Sequence, residues 1–221
     1  MDFFTNLFNA LIGYLQSFLT IFYNLSDAIG YANYGVAIIL MTIVIKMLLY
    51  PLTVKQVRSM KAMQDMQPEL KRIQAKYKDK PAELQKEMAA LYSKAGVNPL
   101  AGCLPLIAQM PILIGIFYAI RDYVYQGAPA FLWVTNLSQA DPYYILPVVS
   151  AATTYIQQKQ TTAEMNQQTK MMMIFMPLFI GWISLTFPAG LVLYWVVSNT
   201  MQILQQWWMS RIDDKIKGEA A

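Results

Sequence analysis

The chain has 221 residues, of which 56% are hydrophobic and only 14% charged, with a formal net charge of +4. An ordinary soluble domain carries about 25% charged residues, so this composition excludes a water-soluble globule and implies a membrane protein built as one modest helical bundle. One cysteine, Cys103, excludes an internal disulfide, and the lack of histidine removes the commonest metal ligand and general base.

Residues 3–25 place Asn6, Asn9, Gly13 and Gln16 on one helical stripe, with Leu7, Phe8, Leu11, Leu15, Phe18 and Phe22 on the opposite face. That division predicts an amphipathic interfacial helix lying on the outer membrane surface. A sixth span or a signal peptide is the competing reading, although no basic residue holds the start of the run inside. Five apolar stretches follow, at residues 34–52, 100–120, 143–156, 171–187 and 191–208. Most approach the roughly 20 residues a helix needs to cross hydrocarbon, and none alternates with the period of a strand. The third is short and ends at Gln157-Gln158-Lys159, which fits a thinned bilayer, a tilted helix or a longer true boundary. The expected fold class is an all-α membrane protein with five transmembrane helices.

Between the first two spans, Pro68 suits the first turn of a helix, and Leu70, Ile73 and Tyr77 recur at helical spacing. Asp79-Lys80-Pro81 breaks the chain, after which Leu84, Met88 and Leu91 form a second stripe. A paired, mobile helical hairpin is predicted, with a solvated charged loop as the blander alternative. Fifteen of the 17 Lys and Arg residues lie in residues 55–97, between the third and fourth spans, or after the fifth, and residues 1–45 hold none. Basic loops stay in the cytoplasm, so the N-terminus is expected outside and the C-terminus inside. The units are then an outer helix (1–30), a first span (31–54), a cytoplasmic hairpin (55–97), a four-span remainder (98–210) and a short cytoplasmic tail (211–221).

Lys46 is the most informative residue, because a charge within a span costs a few kcal/mol, about 2.5–3.5 on insertion scales. Its long stem could carry the ammonium to the inner interface, or it could face a water-filled cavity open to cytoplasm and lipid. Thr42 lies one turn away on the same face, Gln109 stands in the second span and Gln157 closes the third. Trp195, Ser198, Asn199, Gln202 and Gln206 form a stripe on the last span, which helix-to-helix hydrogen bonding would also explain in part. No acidic residue lies inside any span to neutralise Lys46, which favours water. Enzyme motifs are missing: no nucleophile elbow, no phosphate-binding glycine loop and no paired intramembrane aspartates. Cys103 has no histidine partner and reads as a packing residue, and fifteen methionines read as adaptable or lipid-facing apolar filler. Neither cofactor nor metal is expected.

The run Thr42-Ile-Val-Ile-Lys46-Met-Leu-Leu-Tyr50-Pro51-Leu52-Thr53 resembles the first core span of the YidC family of membrane protein insertases. Asn98-Pro99-Leu100-Ala-Gly102-Cys103-Leu-Pro105, Gln109-Met110-Pro111-Ile112 and Asp141-Pro142-Tyr143-Tyr144-Ile-Leu-Pro147 resemble the same family, as do Phe187-Pro188-Ala189-Gly190-Leu191-Val-Leu-Tyr194 and Ser198-Asn199. The motifs occur in order over nearly the whole chain. The resemblance implies five core helices around a hydrophilic groove, closed outside and open to cytoplasm and lipid, in the bacterial plasma membrane. It makes Lys46, Thr42, Gln109, Gln157, Trp195 and Asn199 the groove residues that meet substrate. The family's groove cation is usually arginine, and lysine keeps the charge but loses the planar fork. The expected member is one without the large extracytoplasmic domain and lipoprotein-type signal of some relatives, and with a short tail after Trp208 in place of the long basic ribosome-binding extension of others. The implied partners are nascent membrane proteins, the lipid bilayer, the ribosome in weak or transient contact and the Sec translocon, with no sequence-specific nucleic acid. A small-solute channel using the same cavity, and a passive chaperone that shields spans without needing Lys46, are the rival functions.

Overall fold

The structure, a computed structural model, describes residues 2–96, 104–123, 125, 129–161 and 167–219, without the side chains of residues 2–4, 60, 104–109, 167–170 and 212–219. Its elements are α1 (Asp2–Ala28), α2 (Tyr34–Leu48), α3 (Tyr50–Asp65), α4 (Gln67–Lys76), α5 (Pro81–Ala95), α6 (Leu104–Arg121), α7 (Ile145–Thr161), α8 (Gln167–Ser184) and α9 (Ala189–Glu219). Among the described residues there is no strand, only an isolated bridge between Phe131 and Val134. The all-helical class follows the sequence reading.

The first apolar stretch does not run straight through. Asn33 caps α2, its Oδ1 accepting from the backbone N–H groups of Gly35 at 2.8 Å and Val36 at 3.2 Å. The helix stops at Leu48, and α3 departs at 62° with Pro51 in its first turn. A proline ring at position 51 clashes with the carbonyl one turn earlier, and it sits without cost in a new first turn, so the break falls just before it. Leu52, read as the end of the first span, therefore belongs to α3. The charged segment is then three helices, with α4 and α5 forming the hairpin pair and α3 bridging it to α2. Leu70 and Leu91 are the buried residues of that pair, and Gly96 ends α5 in the left-handed conformation at φ +63°.

α1 is amphipathic and lays its apolar face on α2 and α6. Leu15 and Leu19 are buried, Leu11, Phe18 and Phe22 pack beside them, and Asn6, Asn9 and Gly13 are exposed. Two positions depart from the spacing: Leu7 is exposed, and Gln16 is half-buried with its Nε2 donating to the Ala119 carbonyl at 3.5 Å. The contacts reach α6 and Tyr123 just beyond its end. Leu11 and Leu15 flank Gly115, the Phe8 ring lies 6.0 Å from Tyr118, and the Thr20 and Tyr123 hydroxyls meet at 2.7 Å.

The core runs from α1 through α2 and α6 into the start of α9, where Ala37, Ile38, Ile116, Ile120, Val192 and Tyr194 are buried. α7 packs between α8 and α9, and Gly181 lets α8 approach Ala151 so closely that an added Cβ would stand 3.0 Å from it. The third apolar stretch has the longer boundary: α7 continues through Gln157 to Thr161, 17 residues or about 25 Å. No single helix among the described residues is long and apolar enough to cross a membrane alone, whereas the bent pair α2 and α3 passes that test together.

Candidate functional site: Lys46 and the polar seam between α7 and α9

Lys46 lies in the last turn of α2, two residues before the helix ends. An end that close would let the side chain reach out, yet Lys46 is only 7% exposed. Thr42, one turn earlier, is fully buried, and its hydroxyl donates to the Ile38 carbonyl at 2.6 Å. The ion pairs among the described residues are on the surface, Lys80 with Glu83 at 3.0 Å and Arg121 with Asp122 at 2.7 Å. Among the described residues no carboxylate pairs with Lys46. The negative end of the α2 dipole compensates by about 0.3–1 kcal/mol, well short of the several kcal/mol that taking an ammonium out of water costs.

Trp195 and Asn199 turn toward α7. Thr154 Oγ1 accepts from the Trp195 indole N–H at 3.1 Å and from Asn199 Nδ2 at 2.9 Å, and Asn199 Nδ2 also reaches Thr153 Oγ1 at 3.4 Å. One hydroxyl thus satisfies two donors of the next helix but one in sequence. Behind it, the Ser150 and Ser184 hydroxyls, both buried, meet at 3.1 Å and join α7 to α8. Among the described residues no hydrogen bond links the Lys46–Thr42 pair to the Trp195–Asn199 pair. Gln157 is half-buried, and its carbonyl accepts from the Thr161 hydroxyl at 3.2 Å. Gln109 lies on α6, and its side chain is outside the described residues.

The far end of the same seam is built differently. Gln206 Nε2 donates to the Gln160 carbonyl at 3.0 Å, and Gln205 Nε2 donates to the Lys46 carbonyl at 3.5 Å. A carbonyl only accepts, so these two contacts fix the amide orientation and turn each Oε1 away. The Oε1 atoms of Gln158, Gln160, Gln205 and Gln206 are all buried without a hydrogen-bond partner. Each such atom costs about 1–3 kcal/mol. Beside Gln160 and Gln206 lies a cavity of about 180 Å³, walled also by Val57, Lys61 and Gln64 of α3 and by Trp207, Met209 and Ser210 of α9. Sequence reading did not single out Thr154, Gln158, Gln160 or Gln205. The adjacent pairs Gln157-Gln158 and Gln205-Gln206 on two apolar helices were the available signal.

The opposite end of the bundle is fastened by the connection between α6 and α7. Asp141, 2% exposed, accepts from Leu146 N at 2.7 Å, Tyr143 N at 3.0 Å and Trp133 Nε1 at 3.1 Å, which caps α7 and holds the loop. The first N–H groups of α9 are satisfied from that loop, Ala189 N by Gln139 O at 2.7 Å and Gly190 N by Leu137 O at 2.9 Å. Tyr34 stacks on Tyr23 at 4.0 Å and meets Tyr125 edge-on at 4.7 Å, while Tyr125 donates to the Ile120 carbonyl at 3.1 Å. Burial pushes the Tyr125 phenol well above its ordinary value.

Residues 24–216 match the family model described as 60Kd inner membrane protein. The chain is 46% identical over 211 residues to membrane protein insertase YidC 2 of Bacillus anthracis, a match covering 92% of this chain and 81% of that one. It is 46% identical over 196 residues to membrane protein insertase MisCA of Bacillus subtilis (strain 168), covering 83% and 75%. Membrane protein insertase YidC of Geobacter sulfurreducens is 40% identical over 180 residues, which are 81% of this chain and 34% of that longer protein. Among solved structures, the crystal structure of active YidC insertase with its first transmembrane domain resolved is similar at a TM-score of 0.69 and 30% identity, over 87% of this chain and 45% of that one.

Proposed function

The chain belongs to the YidC family of membrane protein insertases, and from that premise we propose that it guides newly made membrane proteins into the bilayer through a hydrated groove at Lys46, without ATP. The observation that carries the groove is the burial of Lys46, 7% exposed and without a carboxylate partner among the described residues. A dry ammonium there is costly; water around it, or an acidic residue of an incoming tail, removes the cost. The fixed cation draws the tail in, and every 1.4 kcal/mol or so saved on its crossing is a tenfold gain in rate. Thr42, Gln109, Gln157, Trp195 and Asn199 are the other groove positions of this reading. The polar tail enters while the apolar segment of the client partitions into lipid along α7 and α9.

In this reading α2, α6, α7, α8 and α9 are the five spans, the N-terminus is outside and the C-terminus is cytoplasmic. α1 is the outer interfacial helix of residues 1–30, which suits its packing on Gly115, Tyr118 and Tyr123. Residues 31–54 are the first span, 55–97 the cytoplasmic hairpin, 98–210 the remaining spans and 211–221 the tail. The outward apolar face of α8, with Ile174, Phe175, Leu178 and Trp182 all more than 60% exposed, suits lipid rather than water. The partners are nascent membrane proteins, a transiently bound ribosome and the Sec translocon. The test is insertion of a client with an acidic N-terminal tail into proteoliposomes. Lys46→Ala lowers its yield and Lys46→Arg retains it, and undiminished Lys46→Ala insertion across several acidic clients removes the groove.

A further inference from the structure

The cavity between α3, α7 and α9 plays no part in the groove at Lys46. Its volume of about 180 Å³ is an order of magnitude more than the roughly 10–15 Å³ that one water molecule needs, so it has room for a group of several heavy atoms. Its polar wall is rich in donors. Lys61 brings an ammonium, Gln64 and Gln206 bring NH₂ groups, and Ser210 brings a hydroxyl. Gln64 Nε2 gives one hydrogen to the Thr161 carbonyl at 2.6 Å and Gln206 Nε2 gives one to the Gln160 carbonyl at 3.0 Å, and each keeps its second. No carboxylate stands among the wall residues, and the Oε1 atoms of Gln160 and Gln206 are buried out of a ligand's reach.

The surface beside this cavity is apolar. Leu204, Trp207, Trp208 and Arg211 recur at i, i+3, i+4 and i+7 on α9, all of them exposed, and the Arg211 guanidinium lies 4.5 Å from the centroid of the Trp207 ring. Leucine, then tryptophans, then a cation is the order in which a helix leaves hydrocarbon for the headgroup layer. We propose that the cavity is a binding site for the headgroup of an anionic phospholipid, with Lys61 and the second amide hydrogens of Gln64 and Gln206 on its phosphate and its acyl chains along Leu204 and Trp208. Phosphate oxygens only accept, so they match a wall of donors, and the charged partners shorten and strengthen those bonds. Lys61 and Arg211 together favour a headgroup of net negative charge over a zwitterionic one. A nucleic-acid phosphate meets the same donors but leaves the apolar stripe in water, so the lipid is the better occupant. The wall is shared by α3 of the charged arm and by α7 and α9, so the bound lipid fastens that arm to the bundle. This rests on the orientation proposed above, with this end of α9 at the cytoplasmic leaflet, and not on the groove.

The test is native mass spectrometry of the full chain in detergent, titrated with phosphatidylglycerol and, separately, with phosphatidylcholine of the same acyl chains. The chain retains phosphatidylglycerol in preference to phosphatidylcholine. Lys61→Gln weakens that affinity about fivefold, the worth of one cation near an anionic surface. Gln64→Leu weakens it by a smaller factor, and Lys61→Arg keeps it. Lys86→Gln, which removes the same charge from an exposed position of α5, leaves it unchanged. Equal retention of the two lipids, or equal weakening by Lys61→Gln and Lys86→Gln, overturns the proposal. Inorganic phosphate and a short single-stranded RNA, added at equal ionic strength, leave the lipid in place; displacement by either overturns the lipid as occupant. On the unaltered chain, where no variant can misfold, phosphatidylglycerol slows amide hydrogen exchange in residues 57–64 and 206–210 and phosphatidylcholine does not. Exchange there that is the same in both lipids overturns the site. Lipid binding as described together with normal insertion by Lys46→Ala removes the groove and keeps this site, and the reverse pair of results removes this site only.

Discussion

Thr154→Val removes one oxygen and keeps the shape of the side chain. The Trp195 indole loses its acceptor at 3.1 Å outright, whereas Asn199 Nδ2 loses its 2.9 Å bond and keeps Thr153 at 3.4 Å. One orphaned buried donor costs about 1–3 kcal/mol in soluble proteins, and interhelical hydrogen bonds in membranes average about 0.6 with a maximum near 1.7. The expected loss is therefore roughly 1–2 kcal/mol, and for a chain of this size a melting temperature lower by roughly 2–8 °C. Thr153→Val is the control, because it carries the same change of helix propensity and, beside bonds to the Val149 and Ser150 carbonyls of its own helix, gives up only the long contact to Asn199. Its melting temperature should fall by less than half as much. Trp195→Phe has no indole N–H, so combining it with Thr154→Val should cost less than the two single losses added. The assay is thermal unfolding in detergent, followed by elution of the folded species. Equal melting of the two threonine variants, or full additivity with Trp195→Phe, refutes the shared-acceptor network.

Two further substitutions or titrations probe the loop end. Gly35→Ala places a Cβ inside the Phe131 ring, so the first turn of α2 must shift; overpacking costs about 1–3 kcal/mol, and Phe131→Leu in the same chain should restore part of the lost melting temperature. Tyr125 has its pKa raised by burial, so the folded state holds that proton where the unfolded chain releases it. Its contribution to stability is complete below about pH 10 and declines as pH rises above it, and Tyr125→Phe should flatten that decline in unfolding measured across alkaline pH.

The helical class was legible because its signals are local: long apolar runs, and prolines and glycines at their ends. The bend at Leu49 was half legible. Tyr50-Pro51 marks it, but the apolar run continues to Leu52, and a proline is as welcome in a new first turn as it is disruptive in an old helix. The lack of an acidic neighbour for Lys46 along its own helix was legible, whereas its burial depends on how α9 packs over α2. Thr154 was hidden for a physical reason. A threonine in an apolar helix often bonds its own backbone, as Thr42 does with Ile38, and spacing cannot separate that use from a bond to the next helix. The glutamines were visible as residues and invisible as a group, since the rotation of α7 against α9 decides which of them meet.

The two ends of the bundle differ in a way that favours motion at only one of them. At the loop end, Asp141 holds three donors, the first N–H groups of α9 are paired from the loop, and four tyrosines interlock. Parting the helices there breaks satisfied, buried contacts. At the hairpin end, parting α7 from α9 breaks the Gln206 contact with the Gln160 carbonyl, and the wetting of glutamine oxygens that lack partners offsets that loss. Local opening follows the smaller cost, and the difference, at about 1 kcal/mol or more for each oxygen, makes it one-sided.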